Sequence, residues 1–281
     1  MKLGYLTQLK EEECKLAASI GYDCIEAHGK WAPEEIKTAS QRKAAAEPVK
    51  RMLAQTGISI SAIALYRAGA YDVKQRIALY SAYIKMCNEI GVGVITAMSA
   101  SDPAKKLDDN LAAFEKVFKA VAPQAEDAGV KIAFENWPGL TSGFPPIGTI
   151  NFGYSPVIWE KMFERVPSKA IGLEYDPSHL VWQFLDWAEV LKRFASRVYH
   201  VHAKDTEIFQ DKLAANGFFS GGWWRYRLPG YGVVDWFKLT SILKENGYDG
   251  GICIEHEDPV FSGARRVEGL EKACRYLRPL V

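Results

Sequence analysis

With 281 residues, 48% of them hydrophobic and 25% charged, the chain has the make-up of an ordinary globular protein, long enough to bury a large core within one domain. Its 35 basic and 34 acidic residues leave a net charge of +1, which argues against a broad electrostatic surface for nucleic acid or an anionic membrane and favours a small-molecule substrate. Five cysteines, an odd number with no Cys-x-x-Cys, argue against a zinc knuckle or disulfide framework and read as buried free thiols in a reducing compartment. Met1-Lys-Leu-Gly-Tyr5 enters a strand at once, without the pattern of a signal peptide, and no run is long enough to span a membrane. The expected location is cytoplasmic.

Strand-like and helix-like stretches then alternate. Leu3 to Leu6 reads as a strand, Lys10 to Ile20 as a helix stopped by Gly21, and Cys24 to Ala27 as the second strand. Helical pattern resumes at Pro33 and runs, with breaks, to Gln55, where Gly57 can close it with a left-handed cap. Ile58 to Leu65 is the third strand, Asp72 opens a helix to Ile90, and Val92 to Met98 is the fourth strand. A helix from Asp108 to Ala128 precedes the strand that ends at Glu135, and Pro138, Pro145 and Pro146 mark the loop beyond it. Ser155 caps a helix to Val166, the next strand runs to Asp176, and a shorter helix, Trp187 to Phe194, leads to the strand ending at His202. Thr206 to Tyr231 is a long loop carrying Phe209, Phe218, Phe219, Trp223, Trp224 and Tyr226. So many aromatics argue against disorder and for a lid, a subunit contact or packing on the core. Asp235 caps a helix to Asn246, a strand runs to Glu255, and Arg265 to Leu277 closes the chain as a helix. Strands and helices alternating eightfold imply a parallel sheet. The count, with polar residues at strand ends, predicts a single-domain α/β fold over residues 1–281, a (β/α)8 TIM barrel.

Four of these strands end on residues able to bind a divalent metal: Lys131-Ile-Ala-Phe-Glu135, Ile171-Gly-Leu-Glu-Tyr-Asp176, Val198-Tyr-His-Val-His202 and Gly251-Ile-Cys-Ile-Glu255. In a parallel barrel the strand C-termini converge on one rim, where active sites sit. A carboxylate that ends an apolar strand has to be paired, hydrated or bound to a cation. Glu135, Asp176, Glu255 and His202 together suit Mn²⁺, Mg²⁺, Co²⁺ or Zn²⁺, with the oxygen-rich set leaning toward the harder ions. The alternative is a ring of acids salt-bridged to Lys204 or Arg227. All five histidines, His28, His179, His200, His202 and His256, fall at or just beyond strand ends. His200 and His202 point the same way along their strand; the outer one is the expected ligand and the deeper one an orienting partner. Lys204 either touches a substrate oxygen or pairs with Asp205. In Asp176-Pro-Ser-His179 the proline keeps Asp176 extended. The turn that follows lets His179 fold back to bond a substrate hydroxyl. Trp31, Trp137, Trp182 and Trp187 offer aromatic surface near other strand ends, for a sugar face or for core.

On Phe134-Glu135-Asn136, Asp176-Pro-Ser-His179, His200-Val-His202, Arg227 with Pro229-Gly-Tyr-Gly232, and Ile254-Glu255, the chain resembles the xylose-isomerase-like barrel superfamily of sugar phosphate isomerases and epimerases over nearly its whole length. The resemblance implies one divalent metal ion, Mn²⁺ foremost, on Glu135, Asp176, His202 and Glu255. It implies catalytic proton transfer by Glu135 and Glu255, and substrate contacts from His179 and Arg227; Lys204 and Trp137 complete the candidate substrate contacts. The implied activity is isomerisation or epimerisation of a sugar, keto-sugar or polyol by proton abstraction next to a carbonyl, through a metal-stabilised enediolate. A lyase or dehydratase acting on a keto-inositol or 3-keto-glycoside would use the same site, and His256-Glu-Asp-Pro259 resembles members that act on such oxidised sugars. Thr141 stands where ketose 3-epimerases carry a further glutamate, which counts against a ketohexose. An abasic-site endonuclease shares this barrel but needs two or three metals and a basic groove, which the near-neutral charge does not supply. The expected partner is a small-molecule carbohydrate, without nucleic acid or membrane. No glycine-rich phosphate cradle stands out, and a homo-oligomer is compatible with the aromatic loop.

Overall fold

The computed structural model describes residues 1–28, 33–66, 72–102, 104–138 and 151–281. Its strands are β1 (Lys2–Gln8), β2 (Cys24–His28), β3 (Ser59–Leu65), β4 (Val94–Ala97), β5 (Lys131–Glu135), β6 (Ile171–Tyr175), β7 (Val198–Ala203), β8 (Asp205–Ile208), β9 (Trp224–Arg227) and β10 (Gly251–Ile254). The helices are α1 (Glu11–Ile20), α2 (Ala39–Thr56), α3 (Val73–Ile90), α4 (Leu107–Asp127), α5 (Pro156–Arg165), α6 (Pro177–Val181), α7 (Trp187–Phe194), α8 (Gln210–Asn216), α9 (Trp236–Glu245) and α10 (Arg266–Leu277). Among the described residues, β1 to β7 and β10 close into a parallel barrel, with β10 between β7 and β1, while β8 and β9 pair antiparallel outside it. The TIM barrel read from the sequence is the observed fold. No helix among the described residues is long and apolar enough to cross a membrane.

Local chemistry sets the element ends. Thr38 with Gln41 and Asp72 with Gln75 form reciprocal capping boxes at the starts of α2 and α3. Gly57 and Gly91 end the same helices at φ of 70° and 79°, a left-handed conformation that glycine enters without steric cost. The predicted helix from Pro33 to Gln55 is two pieces, a single turn over Pro33–Glu35 and then α2.

Strand alternation aims the polar residues. On β5, Phe134 packs between helix and barrel, its ring 5.3 Å from Phe114 and 4.9 Å from Phe118 of α4. With Phe134 fixed outward, Glu135 must point into the barrel. Tyr175 does the same on β6, buried and bonded through its hydroxyl to the Trp187 carbonyl at 2.5 Å, so Glu174 and Asp176 turn inward. Along β7 and the residue after it, buried Val201 and Ala203 alternate with His200, His202 and Lys204. In β1, Gly4 lies in register between Cys24 of β2 and Cys253 of β10, and a Cβ there would sit 2.5 Å from the Cys24 carbonyl oxygen. All five thiols are buried.

The stretch from Thr206 to Tyr231 is not irregular throughout. It begins in β8, passes through α8 and returns as β9, forming a strap that packs against α6.

Candidate active site

Glu135, Asp176, His202 and Glu255 converge at the mouth of the barrel, with one ligand atom from each lying within 4.8 Å of the others. His202 presents Nδ1 to this group, 3.2 Å from Glu135 Oε1, 3.2 Å from Glu255 Oε2 and 4.0 Å from Asp176 Oδ2. Asn136 fixes the end of β6 by exchanging two 2.8 Å hydrogen bonds with the Asp176 backbone. Asp176 caps α6, Oδ1 accepting from the Ser178 N–H at 2.8 Å. Asp176 Oδ2 and His179 Nε2, 3.3 Å apart, are both buried without a well-formed hydrogen bond, with the Lys204 ammonium 3.3 Å from Asp176 Oδ2. Buried polar atoms left unsatisfied cost about 1–3 kcal/mol each. Their meeting beside Glu135, Glu255 and His202 fits a site completed by a cation and a polar ligand. Lys204 Nζ lies 2.5 Å from Glu255, 3.0 Å from Glu257 and 3.3 Å from Asp176.

A second tier lies beneath. Glu26, Glu174, His200 and His202 form another buried group, and His202 belongs to both. Its Nε2 is 2.8 Å from Glu26 Oε2 and 3.1 Å from Glu174 Oε1. The Tyr66 hydroxyl, with its single proton, lies 2.8 Å from Glu174 and 3.1 Å from Glu26, and Thr96 donates to Glu26 at 2.5 Å. His200 Nδ1 lies 2.9 Å from Glu174; its Nε2 lies 3.0 Å from Ser61 Oγ, which is 3.2 Å from Cys253 Sγ. These groups satisfy one another by hydrogen bonds, so the tier serves as a clamp behind the ring. A metal-ligating histidine is held in just this manner, with a carboxylate on its far nitrogen. Glu26, Glu174 and Tyr66 were not singled out from the sequence.

Burial and neighbours divide the charges. Burial, with the Glu255 charge adding to it, pushes the Glu135 carboxyl up to about 8. Burial lifts Asp176 to about 6. Glu255 goes the other way, well below the usual carboxylate range, because Lys204 and His202 outweigh burial. Burial also works against Glu174, but His202 and His200 hold it at about 2. His202 is raised despite burial by Glu174, Glu255 and Glu26. His179 is kept neutral, driven down by burial and by Lys204.

A cavity of about 500 Å³ opens over the upper tier, bounded by Glu135, Glu255, Lys204, Trp137, Trp224 and Tyr226. Trp137 and Lys204 border this cavity, and His179 folds back onto Asp176 and Glu135 after the Asp-Pro-Ser-His turn. Lys204 does not pair with Asp205; that carboxylate instead accepts from the backbone N–H of Thr206, Gly230 and Val234 and from the Trp236 indole. Arg227 is not among the residues bounding the cavity. Its guanidinium bonds Asp258 at 2.8 Å and Glu207 at 2.6 Å and so ties the strap to the segment after β10. His28 and His256 lie outside both tiers: His28 borders a separate cavity with Gln8 and Lys10, and His256 packs close to Gly269. Trp31 and Thr141 fall outside the described residues.

A closed parallel barrel with an acid-and-imidazole cluster at the C-terminal ends of its strands is a TIM-barrel protein with a candidate metal centre. The chain belongs to the xylose isomerase-like TIM barrel family, whose profile matches residues 14–280. It is 32% identical over 127 residues to the inosose dehydratase of Clostridium perfringens, a match covering 42% of this chain and 41% of that protein's length. Among solved structures it resembles the IOLI protein with a bound zinc atom, at 24% identity and a TM-score of 0.70, covering 100% of this chain and 98% of the other. It also resembles the D-psicose 3-epimerase of Clostridium cellulolyticum with D-tagatose, at 13% identity and a TM-score of 0.72, covering 100% and 99%.

Proposed function

We propose that this protein is a divalent-metal-dependent enzyme that isomerises or epimerises a sugar, keto-sugar or polyol by moving a proton next to a carbonyl. The observation that carries this reading is the convergence of Glu135, Asp176, His202 and Glu255 at one buried point under an open cavity. These four would hold the ion, Mn²⁺ foremost, and the ion when bound supplies Lewis acidity, polarising a carbonyl and offsetting charge that develops on its oxygen.

The chain's own groups supply the rest. Glu135 and Glu255 flank the same imidazole nitrogen, each at 3.2 Å. Without the ion, Lys204 and His202 favour the ionised form of Glu255 and burial favours the protonated form of Glu135. Binding the ion would ionise Glu135 as well, leaving two carboxylates at one cavity, one to take a proton from carbon and the other to pass one back from solvent. His179 sets Nε2 toward a substrate oxygen. Trp137 and Trp224 give the cavity apolar walls for a ring face, and Lys204 places an ammonium beside hydroxyl positions. Arg227 enters by holding the strap that carries Trp224 and Tyr226.

A lyase acting on a keto-inositol is the second reading, favoured by the sequence match to an inosose dehydratase. The same base would act, and a β-hydroxyl would take up a proton from the second carboxyl and leave as water, in place of a proton returning to carbon. Incubating the Mn²⁺-loaded protein with keto-sugars and keto-inositols in D₂O tests both. Deuterium entering at a carbon next to the carbonyl, with an inverted or isomerised product, marks the first reading; loss of water marks the second. Glu135→Gln should lower the exchange by roughly 10²-fold or more, the size of a general acid–base contribution. An ion-loaded wild-type protein that neither exchanges nor converts any member of such a panel overturns both readings.

A further inference from the structure

The strap reaches the candidate site through one hydroxyl. Tyr226, on β9, meets the His179 ring edge-on, with centroids 5.5 Å apart and planes at 89°, and its hydroxyl lies 3.0 Å from His179 Nδ1. On the opposite side of the same imidazole, Nε2 faces Asp176 Oδ2 at 3.3 Å and Glu135 Oε1 at 3.5 Å. Both residues of the pair are closely held. The Lys204 ammonium sits 4.4 Å over the Tyr226 ring, and Trp224, 4.8 Å from that ring, stacks on Trp182 at 5.0 Å.

A neutral imidazole has one N–H and one lone pair, and its surroundings choose which nitrogen takes which. A proton on Nδ1 would turn the Nε2 lone pair toward two carboxylate oxygens and leave the phenol to find another acceptor. A proton on Nε2 removes both conflicts. The tyrosine O–H then donates to Nδ1, and the Nε2–H points into the oxygen-lined space at the mouth.

We propose that Tyr226 is a positioning residue that fixes His179 in the Nε2–H tautomer, so that His179 offers substrate a hydrogen-bond donor and not an acceptor. The proposal rests on the reading of His179 as a substrate-facing group. It means that the polarity of this histidine is set from outside the barrel, by the strap.

The tautomer is measured directly by long-range ¹H–¹⁵N NMR on protein labelled at histidine. Only five histidines are present, and a His179→Gln variant assigns the signal. Wild-type protein should show Nε2 protonated and Nδ1 unprotonated, in a single form. Tyr226→Phe, which removes one oxygen, should shift the Nδ1 resonance and admit the second tautomer. A proton on Nδ1 in the wild type overturns the proposal, and that spectrum decides even if the variant does not fold. A folded Tyr226→Phe protein that keeps a single Nε2–H form also overturns it, whatever the shift of Nδ1, because the carboxylates at Nε2 would then suffice to hold the tautomer. No substrate is used, so failure here and failure of the proposed reaction are read separately.

Discussion

His202 is gripped at both ring nitrogens, and the grip from below should be felt at the mouth. Glu26→Gln and Glu174→Gln leave Glu135, Asp176 and Glu255 untouched but weaken the hold on Nε2. Each should lower Mn²⁺ affinity by about 10–100-fold, measured by competition with a chelator; unchanged affinity would reduce the lower tier to packing. Glu135 makes a pH prediction. Its carboxyl is raised from 4.5 to about 8, so across that interval the folded protein keeps a proton that the unfolded chain has released. The contribution of this group to stability is therefore lost as pH rises through the window. An ion on the cluster has to displace the same proton, and one from the raised His202 imidazole as well, so Mn²⁺ affinity should climb with pH through this window and beyond it, by as much as about tenfold per unit for each displaced proton. Calorimetric titrations at several pH values check the slope. At this scale the upper tier was legible, because an acid or imidazole that ends an apolar run has few bland explanations. Glu26 was not, since a residue in the middle of Cys24-Ile-Glu-Ala-His28 declares itself only once the inner face of the strand is known.

The strap depends on Asp205. Four N–H groups converge on its buried carboxylate, three from backbone and one from the Trp236 indole, at 2.8 to 3.2 Å. Asp205→Ala would strand them, at an expected cost of about 3 kcal/mol in a denaturant titration. Because the strap carries Tyr226 and Trp224, the same variant should also disorder the cavity wall. A loss within a few tenths of a kcal/mol would show that the return segment holds by other means. The barrel strands and the long helices were legible from periodicity and from glycine stops such as Gly57 and Gly91. The β8–β9 pair was not. Its strands are short, a helix separates them, and no tight-turn dipeptide joins them, so the aromatics showed that the segment was ordered without showing how. The pairing of Arg227 with Glu207 and Asp258 was hidden in the same way, since nothing in the sequence brings those two acids to it.

The whole molecule departs from the usual barrel in what fills it. Layers of branched apolar side chains commonly plug this fold. Here Ser61, Thr96, Glu26, Glu174, His200 and His202 occupy that space, each closely bonded to its neighbours. Alternation of strands and helices foretold the container but not its contents, because the inward positions are scattered over five strands and are adjacent only after closure. Contacts of 3.1, 2.9, 3.0 and 3.2 Å run unbroken from His202 through Glu174, His200 and Ser61 to the sulfur of Cys253. An event at the entrance thus has a listening post deep inside, well away from any substrate. The S–H stretching band of Cys253, identified by its disappearance in Cys253→Ala, should change frequency when Mn²⁺ is added and stay put in Glu174→Gln, giving an infrared signal of loading that needs no turnover and no knowledge of what the protein converts.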